Sequence, residues 1–322
     1  MIKRVAEHHY FAQAIALVVG AFTVAQSRAN GELAHILGSG VQAAIISFGT
    51  GLLLLLFLVA VNKSIRSGFF KIFSAVHDGN LKSWQVLGGM VGAVFVTIQS
   101  ISVPLVGVAI FTVLIVAGQT TSSLLVDKWG VSPSGIAAVT SRRVLAAGFA
   151  VVGVVIAVAD RFGDAKFVIA PLIASFFIGC AVSFQHAING HVGVASGNPV
   201  SAAVMNFITG MSLLVVIFGV QVFSGHASVQ SLPSGPWWIY LGGSIGVAFI
   251  ASATWAIRKL GALRFVMGSV AGQLLGSLLI DLFAPTDGTK VSANLVIGLA
   301  ITLGAVLLAN RKAHVIAPAE VV

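Results

Sequence analysis

Charge is what this chain has least of. Only 8% of its 322 residues are Asp, Glu, Lys or Arg, while 57% are hydrophobic and the mean hydropathy is +1.03. An ordinary water-soluble domain carries about 25% charge. A surface that water can wet cannot be assembled from this stock, so the chain reads as an integral membrane protein whose solvent is the lipid bilayer. Cysteine is almost missing as well. The single Cys180 lies in an apolar stretch, and one cysteine forms neither an intramolecular disulfide nor a Cys-x-x-Cys metal site. Acidic residues number nine, and no two share one apolar run. HExxH and P-loop patterns are also absent, so neither an enzyme nor a cofactor or metal is expected. The net charge of +9 is spread along the chain. Nucleic-acid recognition needs basic residues clustered with stacking aromatics on a solvated face, so no nucleic-acid partner is expected.

What is present is a succession of apolar runs, each near the ~20 residues that span a bilayer. Ten spans are predicted, at 10–29, 41–61, 84–103, 106–126, 142–159, 167–189, 199–222, 238–257, 262–281 and 292–310. The polar start MIKRVAEHH leads into an uncleaved first span, because no small-residue cleavage site follows a short apolar core. Residues 83–126 hold no charge and are too long for one span; Pro104 and Gly107 mark the expected break. With ten spans and a cytoplasmic N-terminus, 14 of the 18 Lys and Arg lie inside and 4 outside, the sense of the positive-inside rule. Both termini are therefore expected in the cytoplasm. Trp84, Trp129, Trp237 and Trp238 fall at the predicted interfaces.

The chain repeats itself. Gly20, Gln26, Asn30 and Gly31 recur as Gly179, Gln185, Asn189 and Gly190, all displaced by 159 residues. At the same offset Ala43, Ala44, Phe48, Thr50 and Gly51 match Ala202, Ala203, Phe207, Thr209 and Gly210. At offset 154, Trp84, Leu87, Gly88, Gly89, Gly92 and Phe95 match Trp238, Leu241, Gly242, Gly243, Gly246 and Phe249. The same offset relates Gly118, Gln119, Ser123 and Asp127 to Gly272, Gln273, Ser277 and Asp281. The fifth spans align poorly. Two units of five spans, 1–160 and 161–322, follow, and an odd number makes the second enter the membrane from the opposite side. The expected fold is all-α: ten transmembrane helices in two inverted five-helix repeats, as in many secondary transporters.

Amides inside a bilayer are costly unless bonded. Gln26, Asn30, Gln99, Gln119, Gln185, Asn189 and Gln273, with His186, are the candidate substrate-cavity residues, and interhelical hydrogen bonding is the competing role. Gln and Asn four apart share one helix face, and Gly31 and Gly190 are expected just past helix ends. With the second unit inverted, the two pairs read as opposite mouths of one path, with Gln119 and Gln273 nearer the midplane. Trp255, in the inner part of the eighth span, is a further candidate for substrate contact. Asp127 and Asp281 read as interfacial and structural. The GxxxG pairs Gly88/Gly92, Gly242/Gly246 and Gly272/Gly276 read as close-packing surfaces.

The patterns GxxxxxQxxxNG, AAxxxFxTG, WxxLGGxxGxxF and GQxxxSLLxD together resemble the YdcZ-type branch of the drug/metabolite transporter superfamily, here as two short five-span units fused over nearly all of 10–310. The resemblance implies a central cavity between inverted halves and secondary transport, often export, of a small metabolite across the inner membrane. It also implies an Arg at the start of each fifth span. Arg142 and Arg143 supply it in the first half, whereas SANLVIG in the second has none. Related small multidrug exporters use a Glu embedded in the first span; no acid stands there, so cation/proton antiport of that kind is not supported. The expected partners are a small polar or amphipathic substrate and the lipid bilayer, with the protein a monomer or homodimer. The alternatives are a non-transporting assembly or regulatory protein, and a channel.

Overall fold

The computed structural model of the protein describes residues 2–133, 135–136, 138–161, 168–260, 262–285 and 291–309; at 2–12, 161, 251, 254–260 and 262–264 it describes the backbone alone. The described residues form eleven α-helices and no strand. These are α1 (Ile2–Leu37), α2 (Gly40–Val61), α3 (Lys63–His77), α4 (Gly88–Val106), α5 (Val108–Lys128), α6 (Ser141–Val158), α7 (Ile169–Ser196), α8 (Pro199–Phe223), α9 (Gly242–Leu260), α10 (Ala262–Phe283) and α11 (Ala293–Ala309). Seven candidate spans among the described residues are long and apolar enough to cross a membrane, and Trp237–Ile250 and Ala293–Ala309 are shorter apolar helices.

Local chemistry fixes several helix ends. Ser39 accepts a hydrogen bond from the Gln42 N–H at the start of α2, and Asn198, followed by Pro199, accepts from the Val200 N–H at the start of α8. Gly197, in the left-handed region at φ 65°, ends α7. Between α4 and α5 the break falls at Gly107 alone, at φ 87°, and Pro104 stays inside the last turn of α4. There a missing N–H removes a single ladder bond.

Two expected helix ends are corrected. Gly31 and Gly190 lie inside α1 and α7, which continue to Leu37 and Ser196. Their role is close approach. A Cβ on Gly31 would come within 2.7 Å of Val103 Cγ1, and one on Gly190 within 3.1 Å of the Pro133 ring. Glu32 accordingly sits within α1, paired with Arg28 one turn earlier.

Helix α3 was not anticipated. Ile65, Gly68 and Ile72 pack inward, and Ser201 Oγ donates to the Ile65 carbonyl at 2.7 Å. Phe70 and Phe73 stay exposed beside Lys63, Arg66 and Lys71. A basic amphipathic helix with exposed aromatics lies in the membrane–water interface. A fluorophore on Phe73→Cys is therefore expected to be quenched by lipid-borne quenchers, and one on Lys71→Cys, about 160° away on the helix at 100° per residue, by aqueous ones. Equal aqueous quenching of both would remove α3 from the interface.

Packing comes in matched sets. Helix α1 packs on α9 and α10, and α7 packs on α4 and α5; α2 pairs with α8, and α6 with α11. Absent side chains make the crossings possible. A Cβ on Gly20 would meet the Ser269 carbonyl and one on Gly272 the Leu17 carbonyl; Gly179 meets Ile115 and Gly118 meets Phe176 in the same way. With little hydrophobic drive between helices in lipid, such backbone contact supplies much of the association.

Candidate functional site

The repeated Gln and Asn residues and the repeated GxxxG pairs are two sides of the same contacts. Asn30 Oδ1 lies 2.0 Å from where a Cβ would stand on Gly242, and Gln26 Nε2 lies 3.2 Å from the equivalent point on Gly246. In the other half Asn189 Oδ1 approaches Gly88 at 2.4 Å and Gln185 Nε2 approaches Gly92 at 2.7 Å. Each amide pair thus rests on a glycine pair from the opposite half of the chain. Four-residue spacing on both sides keeps the contacts in register. The order is reversed, Gln26 on Gly246 and Asn30 on Gly242, so α1 runs antiparallel to α9; by the same test α7 runs antiparallel to α4.

Burial divides the candidates. Asn30 and Gln99 are 0% and 1% exposed, and Gln185 is also buried. Asn30 Nδ2 donates to Gln99 Oε1 at 2.8 Å, and Gln99 Nε2 donates to Ser27 Oγ at 2.7 Å. Asn30 Oδ1 and Asn206 Oδ1 are enclosed without a hydrogen-bond partner. Gln26, Gln119, Asn189 and Gln273 are half-buried, with Gln273 Nε2 only 3.5 Å from Ser269 Oγ. His186 is exposed. It stands nine residues from Phe177, which is 65% exposed on the outer side of α7. Nine residues are about two and a half turns, so the imidazole faces away from that lipid side. The Trp255 side chain lies outside the described residues. Among the candidates whose side chains are described, those that are not buried are four amides and one imidazole, none with a fixed charge.

The two span-end carboxylates do different work. Asp281 is buried and accepts from the Val108 and Ala109 N–H groups at 3.1 and 2.8 Å, capping the start of α5 from another helix. Its negative charge sits at the positive end of the α5 dipole. Asp127 pairs with Arg143, the fifth-span arginine of the first half. A separate cavity of about 460 Å³ at the α1–α2 turn, lined by Ser39, Gln221, His226 and Gln230, contains none of the predicted site residues.

Ser27, Asn206 and the Asp281 cap were missed in the sequence. For Ser27 a signal existed, since it precedes Asn30 by three residues and so faces the same way. Nothing local could pair Asp281 with residues 173 positions away.

No curated protein matches the chain. A solved structure described as "Crystal structure of protein" is similar in fold, with a TM-score of 0.50 and 17% identity over 94% of this chain and 96% of that one. The family profile DMT_YdcZ, described as "Putative inner membrane exporter, YdcZ", matches residues 11–156 and 170–308, and the chain belongs to that family.

Proposed function

We propose that the protein is a secondary transporter that exports a small, uncharged polar or amphipathic metabolite by alternating access between two inverted five-span units, 1–160 and 161–322. The observation that carries this reading is the antiparallel docking of α1 on α9 and of α7 on α4. Two units inserted in the same sense would run these helices parallel. Family membership supports the transporter role. The substrate class follows from the accessible groups: amides and an imidazole satisfy hydroxyl, amide or carbonyl groups, while a fixed ionic charge would find no partner among them. Gln26, Gln119, His186, Asn189 and Gln273 are the proposed solute contacts, with Asn30, Gln99 and Gln185 holding the helices that carry them. The protein acts as a monomer or homodimer.

Countertransport in liposomes tests the function. A neutral metabolite is expected to stabilise the purified protein thermally and to drive exchange of its labelled form. A broad panel that produces neither would leave the assembly or regulatory reading; flux without exchange would indicate a channel. Gln26→Ala is expected to lower transport at least tenfold with little change in melting temperature. A lowered melting temperature with transport per folded molecule intact would make Gln26 packing only.

Orientation rests on the 14-to-4 distribution of Lys and Arg. With Cys180→Ser as background, a cysteine replacing the exposed Lys71 is expected to react with an impermeant thiol reagent only after the membrane is opened. Labelling in intact cells would invert the topology.

A further inference from the structure

The two ends of the bundle are built from equivalent residues, yet they are not in the same state. At the Asn30 end α1 packs on α4 of its own half. The chain Asn30 to Gln99 to Ser27 is enclosed, with Ser27 passing its own hydrogen on to the Thr23 carbonyl at 2.9 Å, and Gly31 admits Val103 beside it. At the other end the equivalents of Ser27, Asn30 and Gln99 are His186, Asn189 and Ala253, by the offsets of 159 and 154. Helices α7 and α9 show no comparable packing among the described residues. His186 is exposed and Asn189 half-buried, whereas Ser27 and Asn30 are enclosed. Ala253 packs instead on Ala16 and Val19 of α1 and on Phe265 of α10.

We infer that Ser27, Gln99 and Asn30 form a one-sided latch that holds the Asn30 end shut and so sets the resting state as open between α7 and α9, at the His186 end. This rests on the two-unit transport reading, and under the proposed topology the resting state faces the cytoplasm. In an inverted-repeat carrier the opposite state exchanges the two ends: α7 closes on α9, α1 parts from α4, and the latch breaks. The closed His186 end has no matching latch, because Ala253 carries neither donor nor acceptor where Gln99 carries both. The bias is therefore built into the sequence difference at this one pair of equivalent positions. Gln99 acts through the helices it joins and is a positioning residue.

The size of the bias follows from the bonds involved. Membrane hydrogen bonds average about 0.6 kcal/mol by double-mutant cycles. Losing the two that Gln99 makes corresponds to roughly an eightfold change in the ratio of the two states.

The test uses spin labels at Ile36→Cys on α1 and Leu105→Cys on α4, both partly exposed, in the Cys180→Ser background. Electron–electron resonance then reads the width of the Asn30 end without any substrate. The parent is expected to show mainly the short distance. Gln99→Met keeps the volume and removes the amide, and it should raise the long-distance fraction several-fold. His186→Ser with Ala253→Gln installs the latch residues at the far end and should lengthen the same 36–105 distance, a response that a merely local packing role for Gln99 would not give. Should Gln99→Met fail to fold, this second variant decides. Unchanged distances in the folded variants overturn the latch. Distances that respond in a protein without countertransport would refute the transport reading and leave the latch standing.

Discussion

Gly243→Ala is expected to prevent or severely weaken folding, although alanine is the better helix former by about 1 kcal/mol. A Cβ at this position would stand 1.9 Å from the Ser47 carbonyl oxygen and 2.5 Å from the Gly51 nitrogen. Both are backbone atoms of α2, so no side-chain rotation relieves the clash, and the two helices must separate. Overpacking a tight site costs about 1–3 kcal/mol, and here the lost contact includes the docking of Asn30 on Gly242 one residue away. We expect the upper end of that range, seen as a loss of the monodisperse detergent-solubilised species or a large fall in melting temperature. Gly89→Ala should behave alike, with its Cβ 1.9 Å from the Asn206 carbonyl oxygen. Gly219→Ala is the control. Nothing lies within 4 Å of its Cβ position on α8, so a neutral or slightly stabilised protein is expected. If Gly243→Ala melts with Gly219→Ala, the α2–α9 contact does not hold the two halves together.

Asp281→Ala carries the second large expected effect. The carboxylate bonds the Val108 and Ala109 N–H groups, the first donors of α5, and α5 is enclosed along most of its length. Removing it leaves those buried donors without their acceptor. A buried unsatisfied group costs about 1–3 kcal/mol, and the lost dipole interaction adds up to about 1 kcal/mol. A destabilisation of about 3 kcal/mol is expected, measured by detergent melting. Asp281→Asn keeps one acceptor oxygen and should fall between. An Asp281→Ala protein that melts like the parent would show that α5 starts unaided. If Asp281→Asn is fully stable but does not transport, the carboxylate has a part in the cycle that capping does not explain.

Several elements were legible because their cause is local. The apolar run 41–61 became α2 at Gly40–Val61, and Asn198–Pro199 started α8 where a cap followed by proline should. The matched Gln and Asn residues, the matched glycines and the Asp at the end of the fourth and ninth runs could be read from self-comparison alone. Helix α3 escaped because its apolar residues occupy a narrow face among Lys, Arg and Ser, below any hydropathy threshold for a span. Gly31 and Gly190 misled because glycine after Asn has the composition of a helix end. A local pattern cannot tell an end from a place where another helix passes.

What the sequence by itself determined is the solvent and the duplication. So little charge leaves only the bilayer, whose thickness sets the length of each apolar run, and a duplicated pattern survives whatever the helices pack against. Only the tertiary structure decided which residues meet. Asn30 joins Gln99 across 69 positions, and Gln26 rests on Gly246 in the other half. Amides in lipid need partners, and any of several helices could have supplied them. The choice was made by where glycine lets two backbones approach, a property of pairs of helices that no single stretch of chain contains.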